Sequence, residues 1–329
     1  MARPNALIGA SIALAALLAA ATPVPLLAAD KTAVAQNKFL TLDQLKARYG
    51  QDGSRYASIG GMAIRYKDEG SGPAVVLLHG SHSSLDGYDG LAAALKSDHR
   101  VIRFDMPGMG LSEGLPTGAA TDTPFADDIL KTLLDQLGVP RAVLVGVSSG
   151  GALAYYFASR FPDRVEALVM TNTPSEPVIA ANTPRTPELR AEFERAEKSG
   201  FRSRRYWAVY LDWLTGEKSR LSEAKIDRYY DMNRRVPLPG GQRLFWRSSG
   251  NVPDVYRTLS TVATPTLLVW GKIDFVLPIH TMDGLKAKMP AANVSTIILP
   301  DVGHYPPFEV PERFAGIVRT FTTQVVLQK

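Results

Sequence analysis

The chain has 329 residues, 45% hydrophobic and 21% charged, with a formal net charge of +5. That length suffices for one α/β domain with an insertion, and the composition excludes a disordered, collagenous or multi-span membrane protein. Cysteine is absent, which excludes disulfides, thiol catalysis and cysteine–metal sites and leaves stability to the core.

Arg3 supplies a short positive start, Ala6 to Ala21 is an uncharged apolar run of 16 residues, and Pro23 and Pro25 break it before a stretch of small residues. This layout predicts a secretory signal peptide over residues 1–35, cleaved after Ala29 or after Ala35, where Ala33-Val34-Ala35 fits the small-x-small rule. The run is short of the roughly 20 residues that span a bilayer. Export to the periplasm or medium is therefore expected, with no stable membrane span after processing. An uncleaved anchor is the alternative.

Beyond it, Leu42 to Tyr49 predicts a helix, and Tyr56–Ile59 and Met62–Tyr66 read as strands. AVVLLHG (74–80) is a continuous apolar run ending in glycine, the pattern of a strand buried on both faces. RVIRFDMPG follows, then a helix over Phe125–Leu137, the run RAVLVG, a helix over about Ser149–Arg160 and the run RVEALVM. Later, PTLLVWG and VSTIIL read as two more buried strands around a helix at His280–Met289, and an amphipathic helix covers Pro311–Val325. Strands alternating with helices predict a mostly parallel open sheet with helices on both faces.

The alternation stops between Asn172 and Gly250. This segment holds 10 aromatic residues, and its 15 Lys and Arg against 10 Asp and Glu carry the whole positive excess. The predicted organisation is thus a core in two parts, 36–171 and 251–329, with a helical cap at 172–250. Basic residues there read first as solvated helix faces and second as a field for anionic substrates. Nothing resembles a nucleic-acid-binding pattern. Tyr206, Tyr210 and Trp213 fall at i, i+4 and i+7, one helix face. They are expected to form a subdomain core and, at its edge, a substrate pocket with His82.

Gly146-Val147-Ser148-Ser149-Gly150 fits G-x-S-x-G between a strand and a helix. A strand turning sharply into a helix leaves its central residue strained and exposed, and the residues two before and two after must lack bulk. Both are glycine only when the motif is centred on Ser148. Ser149 then opens the helix, where its backbone N–H can face a developing oxyanion. Five histidines are present. His304 follows the last strand-like run and Asp274 follows the one before it, so Ser148, Asp274 and His304 all fall at C-terminal strand ends, the edge where open parallel sheets gather ligands.

With these motifs, from LLHG and DMPGMGLS through GVSSGG to WGKID and VGHYPPFEVPE, the chain resembles the α/β-hydrolase fold family in its branch with a helical cap, from about Tyr56 to the C-terminus. The resemblance implies Ser148 as nucleophile, His304 as general base and Asp274 as the acid that orients it. It also implies an oxyanion hole from the N–H groups of Ser81 and Ser149. His79 is expected to brace its loop, and Asp105 to stabilise a turn. Glu176 is a rival acid with a poorer local match. Asp301 and His304 lack further clustered ligands for a metal, and Gly108–Gly114 lacks the third glycine of a dinucleotide site. No cofactor and no metal are expected. Family members that open epoxides or remove halide use Asp at the elbow, so Ser148 points to acyl transfer from a small ester or lactone with an apolar or aromatic group. Hydrolysis of a carbon–carbon bond, perhydrolysis and amide hydrolysis use the same triad, and a non-catalytic binding protein of this fold is the remaining alternative.

Overall fold

A computed structural model describes residues 38–115, 126–178, 183–236 and 252–327; the predicted signal peptide lies outside them. Helix α1 (Leu42–Tyr49) begins in a capping box, where the Thr41 hydroxyl accepts the Gln44 N–H and the Gln44 side chain accepts that of Thr41. Strands β1 (Arg55–Ile59) and β2 (Met62–Glu69) follow as a hairpin, then β3 (Ala74–Leu78), α2 (Asp89–Leu95) and β4 (Arg100–Phe104). Next come α3 (Ala126–Gln136), β5 (Ala142–Val147), α4 (Ser149–Arg160) and β6 (Val165–Thr171). Helices α5 (Pro187–Ser199), α6 (Arg204–Leu214), α7 (Glu223–Asn233) and α8 (Val252–Thr261) separate β6 from β7 (Thr266–Gly271). Helix α9 (His280–Ala287), β8 (Val294–Leu299), α10 (Pro306–Glu309) and α11 (Pro311–Leu327) complete the chain.

The strands form one sheet in the order β1-β2-β4-β3-β5-β6-β7-β8. β1 and β2 are antiparallel to their neighbours, and the remainder run parallel. Every residue of β5 and β7 is buried, because side chains alternate between two covered faces. Along β5, Ala142 and Leu144 enter the layer with α3, α4, α8 and α9, while Val143, Val145 and Val147 enter the layer with α2 and α11. The apolar run at β8 predicted burial on both faces. β8 is instead an edge strand with Ile298 47% exposed, because only β7 pairs with it.

Candidate active site

The turn from β5 into α4 carries Ser148 at φ 54°, ψ −124°. Its N–H donates to Thr171 O at 3.0 Å, tying the turn to the end of β6. The flanking glycines are enforced by contact. A Cβ on Gly146 would lie 2.4 Å from Gly150 O, and one on Gly150 would lie 2.0 Å from Leu78 O. Ser148 is half-buried, at the N-cap of α4 but without a side-chain capping bond. Gly80 lets the loop after β3 approach closely: a Cβ there would meet Ser148 Cβ at 3.1 Å and Tyr305 Cε1 at 3.3 Å. Thus the neighbour of His304 and the elbow serine border one point.

His304 Nδ1 donates to Asp274 Oδ2 at 2.7 Å, both residues being buried. A carboxylate only accepts, so Nδ1 carries the proton, and in the neutral tautomer this leaves Nε2 as the acceptor. Among the described residues Ser148 Oγ makes no hydrogen bond to that ring, a gap common in ligand-free sites that tighten with substrate. Asp274 is held on all sides. Its Oδ1 accepts the Val276 and Leu277 N–H groups at 2.7 and 3.1 Å, and its Oδ2 also accepts Asn172 Nδ2 at 2.7 Å.

Asn172 and Glu309 have roles that no motif in the sequence signals. Asn172 sits just past β6 at φ 44° and also accepts Thr171 Oγ1–H and the Gly271 N–H through Oδ1. Glu309 is buried and accepts the N–H groups of Gly303, Tyr305 and Gly216, so it braces the segment that carries His304. Burial pushes the Glu309 carboxyl up, against the N–H donors and Arg220 that pull it down. Replacing Asn172 with Ala removes a hydrogen bond to a charged group. The expected outcome is a loss of about 1.5–3 kcal/mol of stability with a fall in turnover, read from denaturant melts and steady-state rates.

The remaining candidate residues resolve by their contacts. His79 Nδ1 donates to Gly80 O at 2.9 Å and its Nε2 accepts the Met106 N–H at 3.0 Å, a backbone brace whose burial depresses its pKa. Asp105 is buried, pairs with Arg65 at 3.0 Å and accepts the Leu85 and Leu111 N–H groups. Glu176 is 58% exposed and binds Tyr256 and Lys288. Asp301 pairs with Arg220 and Arg313. Ser81 lies across from the elbow, its Oγ 3.1 Å from Ser149 Oγ.

The aromatic face of α6 is built as a stack. Tyr206 packs parallel to Tyr210 at 6.0 Å, Tyr210 meets Trp213 at 5.9 Å, and Trp213 stacks on Phe275, the residue after Asp274. His82 joins this cluster against Trp207 and Tyr210. A cavity of about 400 Å³ opens beside it, between α7 and residues 82–90. Val147 and Tyr305, chain neighbours of Ser148 and His304, form part of its wall. Of the four predicted pocket residues, His82 lines this cavity; Tyr206, Tyr210 and Trp213 lie outside its wall and pack against one another. Tyr229, Met232 and Phe308 form part of its wall.

Burial lowers the His82 pKa from 6.5 to about 4, with the Arg202 charge adding to the effect. Between those values the unfolded chain binds more protons, so this contribution is intact above pH 6.5 and is lost as pH falls towards 4. The change amounts to about 3 kcal/mol at most. Urea denaturation at pH 7 and pH 4.5 should show a smaller loss in His82→Gln than in the native chain, with the His79 share common to both. Equal slopes would contradict this assignment.

Residues 73–311 match the family described as alpha/beta hydrolase fold. The chain belongs to the α/β-hydrolase family. It is 30% identical to a 2-hydroxy-6-oxononadienedioate/2-hydroxy-6-oxononatrienedioate hydrolase of Paraburkholderia phymatum, over 82% of this chain and 96% of that one. Among solved structures, a thermophilic esterase from Thermogutta terrifontis matches with TM-score 0.63 and 26% identity, over 82% of this chain and 97% of the esterase. A bacterial membrane phospholipase A matches with TM-score 0.66 and 26% identity, over 86% of this chain and 91% of that one. Like these α/β-hydrolases, the chain is an enzyme of the hydrolase class.

Proposed function

We propose that this α/β-hydrolase cleaves a carboxylic ester or lactone through an acyl-enzyme on Ser148. The observation that carries the reading is a strained elbow serine, bordering with Tyr305 on Gly80, together with a buried Asp274–His304 pair whose hydrogen bond at Nδ1 leaves Nε2 to accept a proton. Ser148 Oγ attacks the acyl carbon as His304 Nε2 takes its proton. The bond from the acyl carbon to the leaving oxygen then breaks, and the imidazolium returns that proton to the departing alcohol. Water repeats the sequence and releases the acid. The Ser149 N–H, at the start of α4, and the Ser81 N–H stabilise the oxyanion. The cavity takes the apolar part of the substrate against Tyr88, Leu211, Met232 and Phe308. Export through the N-terminal segment belongs to the same proposal.

Hydrolysis of a carbon–carbon bond is the second reading, favoured by the 30% identity to the Paraburkholderia enzyme. A panel of acyl esters, lactones and a vinylogous 1,5-diketone acid, run with Ser148→Ala as control, separates the two. Ester or lactone turnover that peaks at one acyl size and vanishes in the variant supports the proposal. Turnover of the diketone alone assigns the carbon–carbon reaction instead.

A further inference from the structure

Among the described residues three non-glycine residues have positive φ: Ser148, Asn172 and His82, at 54°, 44° and 60°. The first two are explained by the elbow and by the Asp274 network. His82 is not. It is the third residue of the Gly80–Ser83 turn, which is closed by the Ser83 N–H donating to Gly80 O at 3.3 Å. A left-handed φ at that position is the requirement of type II turns, which favour glycine or asparagine there. An imidazole side chain holds the conformation only where its surroundings over-determine it.

The surroundings are specific. His82 O accepts Asn233 Nδ2 at 2.7 Å, and the same nitrogen donates to Tyr229 O at 2.8 Å. Both partners are carbonyls, so the amide must present its nitrogen to them. Asn233 ends α7, and that end is itself anchored. Asp231 accepts from Arg48 and from Tyr49 of α1, the latter at 2.7 Å, and Leu40 exchanges backbone hydrogen bonds with Arg234 and Val236. On the other side of the turn, Ser81 O accepts Tyr305 Oη–H at 3.1 Å. The peptide joining Ser81 to His82 is therefore held at its own carbonyl by the residue beside His304 and at the next carbonyl by α7.

We propose that Asn233 is a positioning residue for the oxyanion hole: by holding the His82 carbonyl it keeps the Gly80–Ser83 turn in its strained form and so fixes Ser81 against the elbow, opposite Ser149. Without this hold the central peptide of the turn flips to the unstrained form. Ser81 O leaves Tyr305, and the loop tip facing the elbow shifts. Seating of α7 is thereby linked to the donor geometry at the reacting carbon. The inference rests on the serine-hydrolase reading and on the Ser81 N–H as a donor.

The test is a double-mutant cycle between Asn233→Ala and His82→Gly, read by kcat on an activated ester and by the rate of fluorophosphonate labelling of Ser148. Glycine adopts the left-handed conformation without strain, so it needs no clamp. Asn233→Ala is expected to lower kcat and labelling about tenfold with His82 present, and less than about threefold in the His82→Gly background. KM should change less than kcat. If a thermal melt shows the Ala variant unfolded, Asn233→Leu, which keeps the size and removes the donor, is read in its place. Equal losses in both backgrounds, or a change in KM alone, overturn the inference. No labelling of the native chain would instead overturn the underlying serine-hydrolase reading.

Discussion

Ser148→Ala is expected to leave a folded protein whose turnover has fallen by roughly 10⁴–10⁶-fold, while Ser149→Ala stays within about tenfold of the native rate. The two serines are adjacent, yet the turn gives them different work. Ser148 occupies the strained apex, with Gly146 and Gly150 packed so closely that neither tolerates a Cβ. Ser149 begins α4 and contributes through a backbone N–H that alanine retains. Among the described residues its hydroxyl pairs only with Ser81 Oγ, at 3.1 Å. Steady-state rates on one ester, with far-ultraviolet dichroism to verify folding, measure both variants. Comparable losses in the two would reverse the assignment of nucleophile and amide donor.

Asp274→Asn should be nearly as damaging, costing about 10⁴-fold in kcat near neutral pH. Four N–H donors converge on the two carboxylate oxygens, from Val276, Leu277, Asn172 and His304. An amide can satisfy the pair on one side only by turning its NH₂ toward the others. Facing that group, His304 must accept at Nδ1, so its proton moves to Nε2 and the ring can no longer take a proton from Ser148. The variant should still bind a substrate analogue, because the cavity residues are untouched. A kcat within about tenfold of native would show that Asp274 does not set the tautomer.

The fold was legible where the sequence carried periodicity. Continuous apolar runs located the central strands, and the G-x-S-x-G spacing located the elbow, whose glycines close contacts explain. Asp274 and His304 could be ordered from chain position because parallel strands present their C-terminal ends on one edge. What escaped was fixed by contacts distant in sequence. Asn172 is 102 residues from Asp274, and nothing local distinguishes it from a loop asparagine. Glu309 reads as a helix-terminus acid until its carboxylate is seen folded back onto Gly303 and Tyr305. The i, i+4, i+7 spacing of Tyr206, Tyr210 and Trp213 identified one face of α6. It could not show how these rings pack against one another, or that Tyr229 and Met232 of α7 border the cavity beside them.

The central claim is that Ser148 carries the acyl group between two half-reactions. Acid quenching of the enzyme during turnover of an activated ester, followed by peptide mass mapping, tests it directly. The expected result is one acyl group, on the peptide spanning the elbow and localised by fragmentation to Ser148, absent from Ser148→Ala. Acylation of Ser149 or Ser81, or steady turnover with no acylated peptide in a quench that traps a known serine esterase, would contradict it.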